Sequence, residues 1–317
     1  MRLISHLQSG EARLAAVTEN DQVVDLNRAY AAAERAAGSA RAASIADARV
    51  PADILAFLGL GERAIEDARA ALAHVAGLDE TARVRDLLVM PLGEVRLLPA
   101  VPKPPKIVCV ARNYADHAKE AGRSVSEIPI LFARFPATLV ASGEPVIRPS
   151  VSEQLDWEGE LAVVIGRAGH RISKASALEH VAGYSIFNDV TVRDFQFRVT
   201  QYTAGKNFVG SGPFGPELRL REDGLDPSEM EIVTEVSGEV MQRGNTRDML
   251  FDVPAIIEHV SEFIGLEPGD VIAMGTPAGV GFSRTPPRFL RPGETVAVSI
   301  TGLGRLENPI VAEEDLK

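Results

Sequence analysis

The chain has 317 residues, 45% of them hydrophobic and 24% charged, which is the composition of an ordinary globular protein and argues against disorder. With 33 Lys+Arg against 44 Asp+Glu, its formal net charge of -11 argues against nucleic acid and anionic membranes as partners and favours small molecules. It has no secretory signal, no apolar stretch near the ~20 residues of a membrane helix and a single cysteine, which together predict a cytoplasmic location.

Residues 1–100 are predicted to form a small α+β domain. Two alternating segments, MRLISHL and RLAAVTENDQVVDL, are typical of short strands, and an alanine-rich stretch follows at residues 28–78. Four residues of this stretch recur at helical spacing and predict an amphipathic helix: Ile65, Ala68, Leu72 and Val75. The proline cluster in LLPAVPKPPKI predicts the connection to a second, catalytic domain at residues 106–317.

The second domain is predicted to contain many strands and few helices. Strand patterns occur in IVCVARNY, LAVVIG, DVIAMGT and ETVAVSITGLG, and EIVTEVSGEVMQ predicts a hairpin that turns near Ser237. The clearest helix covers residues 252–264, with Asp252 as its cap. Because strands and helices do not alternate regularly, a doubly wound parallel sheet is disfavoured, and an α+β fold with a mixed β-sheet roll and peripheral helices is predicted. Cys109 is predicted to be a buried core thiol.

The stretch LDWEGELAVVIG, residues 155–166, places Asp156, Glu158 and Glu160 at every second position. In a single strand the three carboxylates would share one face. A solvated outer face is one interpretation, but the apolar residues that follow are typical of a strand buried on both faces. Carboxylates buried together need a cation, and their hard oxygens suit Mg²⁺, Mn²⁺ or Ca²⁺. The spacing alone leaves both interpretations open.

Asp189 follows a strand-like segment in GYSIFNDVTVRDFQFR. If the next segment is helical, Arg193 and Gln196 align beneath Asp189 on one face, which brings a carboxylate, a cation and an amide together. A capping aspartate with a surface ion pair is the alternative interpretation. Combined with the acidic strand, Asp189 would provide a third oxygen ligand.

Lys206 and Thr276 lie in glycine-rich segments, QYTAGKNFVGSGPFGP and MGTPAGVGF. A Walker A loop is excluded, because Thr200 and Asn207 stand where that motif needs Gly and Ser or Thr. Lys206 is a candidate cation for an enolate or carboxylate, with a surface lysine as the alternative. Thr276 and nearby amides could bind a carboxylate or form a plain tight turn.

The segment ARNYADHAKEAG carries His117 and Glu120 three residues apart, hence on one side of a helical turn. A carboxylate beside an imidazole orients the ring and raises its basicity, which suits a pair that activates water. A solvated helix face is the alternative.

In order, IVCVARNYADHAKE, LDWEGELAVVIG, GYSIFNDVTVRDFQ, GKNFVGSGPFGP, GNTRDMLF and GTPAGVGF resemble the fumarylacetoacetate hydrolase family over about residues 106–311. The resemblance implies a mixed β-sheet roll, usually a homodimer, with Mg²⁺ or a similar ion bound by Glu158, Glu160 and Asp189. Asp156 would be a neighbour of this site. The catalytic residues implied are His117 and Glu120, on a mobile lid, and Lys206. The substrate contacts implied are Arg112, Tyr114, Arg193, Gln196 and Thr276.

Two positions depart from the family pattern. Ala111 stands where Gly is frequent, and Arg134 stands where Lys is frequent. Neither residue is expected to touch the proposed metal ligands, although Arg134 is expected to alter substrate contacts.

The reaction implied is like that of an acylpyruvate hydrolase: metal-dependent cleavage of a C–C bond in a 1,3-diketo acid of the fumarylacetoacetate or fumarylpyruvate type. His117, polarised by Glu120, would deprotonate water, and Lys206 together with the ion would stabilise the departing enolate. Two other reactions fit the same scaffold: decarboxylation of oxaloacetate, and isomerisation or hydration of a 2-hydroxy-dienoate from aromatic catabolism. A metal-dependent binding protein without turnover is the alternative outside enzymes.

Overall fold

The computed structural model describes residues 1–85, 88–221 and 224–316. The strands in these residues are β1 (Arg2–Gln8), β2 (Glu11–Val17), β3 (Gln22–Asp25), β4 (Val89–Pro91), β5 (Arg96–Leu97), β6 (Ile107–Ala111), β7 (Ile130–Arg134), β8 (Leu139–Val140), β9 (Val146–Arg148), β10 (Leu155–Asp156), β11 (Gly159–Ile165), β12 (Val181–Asn188), β13 (Thr191–Val192), β14 (Gly212–Leu220), β15 (Glu231–Val236), β16 (Glu239–Asn245), β17 (Val271–Ala273), β18 (Thr295–Ile300) and β19 (Gly304–Ala312). The α-helices are α1 (Leu26–Ala36), α2 (Ala42–Arg49), α3 (Ile54–Gly59), α4 (Glu62–Ala76), α5 (Glu80–Arg85), α6 (Ala115–Glu120), α7 (Arg193–Gln196), α8 (Thr203–Lys206) and α9 (Val253–Phe263).

Most of the strands belong to one large mixed sheet. Its order is β4-β3-β2-β1-β14-β12-β11-β17-β6-β7, with β5 joined to β1 and β8 joined to β14. A second sheet has the order β16-β15-β18-β19-β9, and β10 pairs only with β13 among the described strands. Most neighbours are antiparallel, whereas β17 and β6 run parallel. The predicted α+β fold with a mixed sheet and peripheral helices is confirmed.

Strand β11 lies inside the large sheet, between β12 and β17, and all of its residues are buried. Leu161, Val163 and Ile165 pack into one hydrophobic core, whereas Ala162 and Val164 pack into another. Successive side chains of a strand point to opposite faces, so this alternation shows that both faces of β11 are covered. The predicted burial on both faces is confirmed.

The prediction of one continuous strand through the acidic stretch is wrong. Strand β10 ends at Asp156 and pairs with β13, and β11 begins only at Gly159. Between them, Trp157 is fully buried in a third hydrophobic core. Because the backbone leaves the strand conformation here, Asp156 does not share a face with the two glutamates that follow.

The two clearest predicted helices are confirmed. Helix α9 begins after Asp252, whose carboxylate accepts a hydrogen bond from the Ala255 amide at 2.8 Å, and Pro254 occupies the first turn. Helix α4 buries Ala68 and Val75 against the core shared with β11. The apolar stripes read from the sequence therefore face the interior.

The strands of residues 1–100 continue the large sheet. Strand β1 pairs antiparallel with β14, with Leu3 opposite Leu218. Side chains from α3 and α4 share one hydrophobic core with β11 and β17. The division into domains at 1–100 and 106–317 remains a prediction. No helix within the three described stretches is long and apolar enough to cross a membrane.

Two smaller predictions are also confirmed. The β15–β16 hairpin turns at Ser237 and Gly238, which both have positive φ angles, 48° and 84°. Such angles are those of a two-residue turn that matches the twist of the flanking strands. Cys109 is fully buried in β6, where burial raises the pKa of its thiol well above the ordinary value.

Candidate active site

Glu158, Glu160 and Asp189 converge in the interior, where their exposed fractions are only 5%, 2% and 0%. One carboxylate oxygen of each residue lies within 4.8 Å of the corresponding oxygens of the other two. We call these three residues the carboxylate triad. Two such charges about 5 Å apart repel by roughly 3 kcal/mol at an effective dielectric constant of 20. Positive charge is therefore required among them.

Strand pairing brings the triad together. In the antiparallel register of β11 and β12, Gly159 lies opposite Asn188. One residue further out, the Asp189 amide donates to the Glu158 carbonyl at 2.8 Å, and the Asn188 side-chain oxygen accepts from the Glu158 amide at 3.0 Å. The two acids thus lie side by side where the strands end.

Lys206 reaches the triad from α8. Its Nζ lies 2.5 Å from Asp189 Oδ2 and 2.6 Å from Glu158 Oε2, and the residue is only 2% exposed. Gly205 permits this placement, because a Cβ there would lie 2.6 Å from the backbone of Gln196 in α7. Lys206 is therefore not the surface lysine that the sequence left open as an alternative.

The charge around the triad is uneven. Burial alone would raise the pKa of Glu158, but Lys206 and Arg193, each 2.6 Å away, lower the pKa to about 2. Glu160 instead accepts a hydrogen bond from the Gly275 amide at 2.9 Å. Burial, together with the other two carboxylates of the triad, raises the pKa of Glu160 well above its ordinary range. Glu160 thus carries the least compensated charge of the three.

This donor set fits a small divalent cation. The triad supplies three hard oxygens in a buried position, and the charge of Glu160 would be relieved by a further cation beside it. Mg²⁺ and Mn²⁺ prefer such oxygen ligands and keep positions for water or substrate. The individual ligand roles, and the choice among Mg²⁺, Mn²⁺ and Ca²⁺, remain predictions.

The expectation that Arg134 does not touch the proposed metal ligands is wrong. Its Nη1 donates to Asp189 Oδ1 at 2.5 Å and to the Val190 carbonyl at 3.1 Å, and its Nη2 donates to Ser211 Oγ at 2.7 Å. The Arg134 side chain is fully buried. No sequence pattern indicates this contact, because Arg134 on β7 and Asp189, directly after β12, lie 55 residues apart, and β7 and β12 are not neighbours in the sheet.

Arg193 and Gln196 lie at the two ends of α7. The predicted helix does not extend back to Asp189, because β13 intervenes, and this corrects the expected alignment beneath that residue. Arg193 Nη1 donates to Gln196 Oε1 at 2.9 Å, and Nε donates to Asp156 Oδ2 at 2.7 Å. Asp156 thus fixes Arg193 and lies beside the triad without belonging to it.

His117 and Glu120 form a hydrogen-bonded pair on α6. His117 Nδ1 lies 2.8 Å from Glu120 Oε1, which leaves Nε2 for proton transfer. Glu120 Oε2 accepts from the Gly279 amide at 2.9 Å and from the Ser283 hydroxyl at 3.0 Å. Burial opposes ionisation of Glu120, but these donors and His117 outweigh it and lower the pKa of the carboxyl. The contacts tie α6 to the loop after β17, and its role as a mobile lid remains a prediction.

The glycine-rich segment 274–282 is more than a tight turn. Its backbone amides donate to three separate acids at 2.7–3.0 Å. The pairs are Gly275 to Glu160, Gly279 to Glu120, and both Gly281 and Phe282 to Asp156. Gly275 has a φ of 90°, and a Cβ there would lie 2.8 Å from Asn113 Cβ. This single segment therefore orients carboxylates on both sides of the site.

Thr276 lies in the cavity wall. Its hydroxyl donates to the Gly159 carbonyl at 2.9 Å and accepts from Gln242 Nε2 at 2.8 Å. Gln242 Oε1 in turn accepts from the Gly159 amide at 3.0 Å. The sequence analysis did not identify Gln242. Gln242 is one of several polar residues in the predicted hairpin EIVTEVSGEVMQ, so no sequence pattern distinguishes it.

The site opens onto a cavity of about 740 Å³. The predicted site residues that line it are Arg112, His117, Glu158, Glu160, Arg193, Gln196, Lys206 and Thr276. Lining residues that the sequence analysis missed include Arg123, Phe132, Arg198 and Tyr202. Tyr114, predicted as a substrate contact, does not line this cavity; it is 3% exposed, and its backbone pairs with Met249. Asp189 and Glu120 also lie outside the lining of this cavity, and they contact the lining residues Lys206 and His117, respectively.

Known proteins resemble this chain in sequence. The family model described as fumarylacetoacetate (FAA) hydrolase C-terminal matches residues 106–311. The protein named oxaloacetate tautomerase FAHD2A, mitochondrial, from Homo sapiens is 41% identical over 267 residues, covering 84% of this chain and 82% of that protein. Oxaloacetate tautomerase YisK from Bacillus subtilis (strain 168) is 45% identical over 223 residues, covering 69% and 74%.

Solved structures resemble it over nearly the whole chain. Fumarylacetoacetate hydrolase from psychrophilic Exiguobacterium antarcticum has a TM-score of 0.77 at 35% identity and covers 99% of this chain and 100% of its own. A 2-hydroxyhepta-2,4-diene-1,7-dioate isomerase from Mycobacterium marinum has a TM-score of 0.70 at 28% identity and covers 99% of each chain. By its family-model match and its relatives, the chain belongs to the fumarylacetoacetate hydrolase family of enzymes.

Proposed function

We propose that the protein is a divalent-metal-dependent enzyme that interconverts the keto and enol forms of oxaloacetate or a closely related 2-keto dicarboxylate. The observation that carries this proposal is the buried carboxylate triad with the Lys206 ammonium beside it, next to a cavity lined by cationic side chains. The two curated relatives described above are both named oxaloacetate tautomerases, which supports the same substrate.

The chemistry follows from the residues around the cavity. Glu158, Glu160 and Asp189 would hold the ion, which when bound would supply positive charge to polarise the 2-keto oxygen of the substrate. Lys206 keeps a second positive charge beside the triad, where it stabilises an enolate oxygen. Burial excludes water from these groups and strengthens their interaction with that oxygen.

His117 is proposed to transfer the proton. Its Nδ1 is occupied by Glu120, so Nε2 accepts the proton from C3 of the keto form and returns it to the 2-oxygen, which completes the enol. No C–C bond breaks in this reaction. Arg193 adds an unused donor, since its buried Nη2 has no hydrogen-bond partner within the described part of the chain.

The test is an assay of the purified protein with Mg²⁺, and after EDTA treatment, on oxaloacetate, acylpyruvates, fumarylpyruvate and a 2-hydroxy-dienoate. We expect rapid decay of the enol ultraviolet absorbance of oxaloacetate with no release of pyruvate, loss of the effect in EDTA and its recovery with Mg²⁺. Formation of pyruvate at the rate at which the enol absorbance decays would instead identify a decarboxylase. A tautomerisation rate equal to that without the protein would overturn the proposal.

Hydrolysis of an acylpyruvate-like 1,3-diketo acid is the second candidate. The observation in its favour is the 2.8 Å His117–Glu120 pair, which suits activation of water. In the same panel, hydrolysis would appear as pyruvate and a carboxylic acid formed in equal amounts. A 2-hydroxy-dienoate isomerase, as in the Mycobacterium marinum neighbour, would convert the dienoate without releasing either product.

The cytoplasmic location and the homodimer belong to the same proposal. The family resemblance supports the dimer, and the composition supports the location. Light scattering on the purified protein tests the dimer: a mass of about twice 34.0 kDa is expected, and the mass of a single chain would contradict it.

A further inference from the structure

Each carboxylate of the triad already has one oxygen engaged by a protein donor. Asp189 Oδ1 accepts from Arg134 at 2.5 Å, and Glu158 Oε1 pairs with Arg193 at 2.6 Å. Glu160 Oε2 accepts from the Gly275 amide at 2.9 Å. Each residue therefore has a single remaining oxygen, and two of these, Glu158 Oε2 and Asp189 Oδ2, contact the Lys206 ammonium.

Arg134, the donor to Asp189, is held at several points. Its guanidinium also donates to the Val190 carbonyl and to Ser211 Oγ, and Ser211 Oγ in turn donates to the Phe208 carbonyl at 2.7 Å. The ring of Phe187 lies 5.5 Å from the guanidinium carbon. A guanidinium held at three acceptors cannot turn away from Asp189 without breaking several buried hydrogen bonds.

We propose that Arg134 is a positioning residue that keeps Asp189 a one-oxygen ligand, and that this makes the site favour a small six-coordinate cation such as Mg²⁺ over Ca²⁺. Ca²⁺ takes six to eight oxygens in flexible geometry and often binds both oxygens of a carboxylate, whereas Mg²⁺ demands a near-ideal octahedron and keeps several waters. Three carboxylates that each offer one oxygen suit the octahedral coordination of Mg²⁺, because they leave positions for water. The inference rests on the metal site of the proposed function.

A lysine at position 134 would not replace this arrangement. Arginine presents a planar fork of donors that bridges several acceptors at once, whereas lysine is a point charge on a flexible stem. In Arg134→Lys the charge is kept, but Asp189 Oδ1 is no longer fixed by a fork that Ser211 and Val190 hold in place. Oδ1 of Asp189 can then join Oδ2 in binding one large ion, while Lys206 still contacts Oδ2.

The experiment is calorimetric titration of the metal-stripped full-length protein, without substrate, with Mg²⁺ and separately with Ca²⁺. For Arg134→Lys we expect Mg²⁺ affinity to fall about tenfold, at the lower end of the range for residues that orient metal ligands, while Ca²⁺ affinity holds or rises. The ratio of the two affinities therefore shifts toward Ca²⁺ by at least about tenfold.

Arg13→Lys is the matched control. Arg13 also holds a buried aspartate, Asp25, with two hydrogen bonds at 2.5 and 3.0 Å. However, Arg13 lies on β2, near one edge of the large sheet, whereas Arg134 lies on β7 at the other edge. The control should leave both affinities unchanged. Equal shifts in the control and in Arg134→Lys would overturn the proposal, because a general loss of stability would then explain them.

Ser211→Ala provides a second variant that changes no charge. It removes the hydroxyl that holds Arg134 Nη2, so we expect a smaller shift of the affinity ratio in the same direction, about threefold. An unshifted ratio in Ser211→Ala, or in folded Arg134→Lys, overturns the role of Arg134. If the wild-type protein binds neither ion, the metal part of the proposed function fails instead, so the two failures are distinguishable.

Discussion

The carboxylate triad and the His117–Glu120 pair border the same site but are built differently. The triad follows from the register of two central strands and is almost completely buried. The pair lies on the six-residue helix α6, where the Glu120 side chain is 20% exposed and is tied to the loop after β17 by two hydrogen bonds. The sheet thus fixes the charges of the triad, whereas hydrogen bonds from a loop position the His117–Glu120 pair.

This difference has a chemical consequence. Stabilisation of an enolate is common to tautomerisation, decarboxylation, hydrolysis and isomerisation, and it needs the triad and Lys206 at fixed positions. The step that separates these reactions is a proton transfer or the attack of water, which the proposed function assigns to His117 on α6. We therefore infer that changes in the triad abolish every reaction, while changes around α6 alter which reaction occurs.

The sharpest way to break the comparison is Asp189→Asn. Loss of one charge from the triad should abolish high-affinity Mg²⁺ binding and reduce turnover by roughly 10⁴-fold, since metal-supplied stabilisation amounts to several kcal/mol. Calorimetry and the tautomerisation assay measure both effects. Full turnover in the variant, with EDTA present, would contradict the role of the triad.

His117→Ala should give the next largest effect. Turnover is expected to fall about 10³-fold, within the range for loss of a general base, while Mg²⁺ affinity stays within about twofold of the wild type. His117→Ala should thus keep the Mg²⁺ affinity that Asp189→Asn loses. Retained turnover would remove His117 from the mechanism, and lost metal binding would show that the two parts of the site are not separate.

Arg112→Met tests how the cavity beside the triad and the His117–Glu120 pair recognises its substrate. Arg112 lines the cavity with an unusual φ of 56°, and its buried Nε has no partner among the described residues, so we expect it to bind the distal carboxylate of a dicarboxylate. KM for oxaloacetate should rise about tenfold with little change in kcat. KM for a monocarboxylate 2-keto acid, the matched control, should not change; an equal rise for both would argue against this role.

The smallest effect concerns Glu120 and pH. The folded protein lowers the pKa of Glu120, so the carboxylate adds stability above its unfolded pKa of about 4.3, and this is lost as pH falls through the lower folded pKa. Glu120→Gln should therefore be less stable than the wild type near pH 6, with the gap closing below about pH 4. Urea unfolding across this range measures the gap, and a gap independent of pH would contradict the assignment.

Local patterns in the sequence predicted much of the architecture. The continuous apolar run of LAVVIG indicated a strand buried on both faces, and the spacing of Asp252 and the apolar residues after it indicated α9. The i,i+3 spacing likewise indicated that His117 and Glu120 pair. These features depend on neighbours within one strand or one helical turn, which the chain order already fixes.

By itself, then, the sequence determined the mixed α+β class, the buried strand that carries Glu160, and the pair on α6. Only the tertiary structure decided that the backbone breaks before Gly159, that Arg134 rather than solvent faces Asp189, and that the amides of 274–282 bind three acids. The physical reason is that a buried charge must be compensated by whatever donors the sheet register and loop packing bring near it, and those donors come from distant parts of the chain.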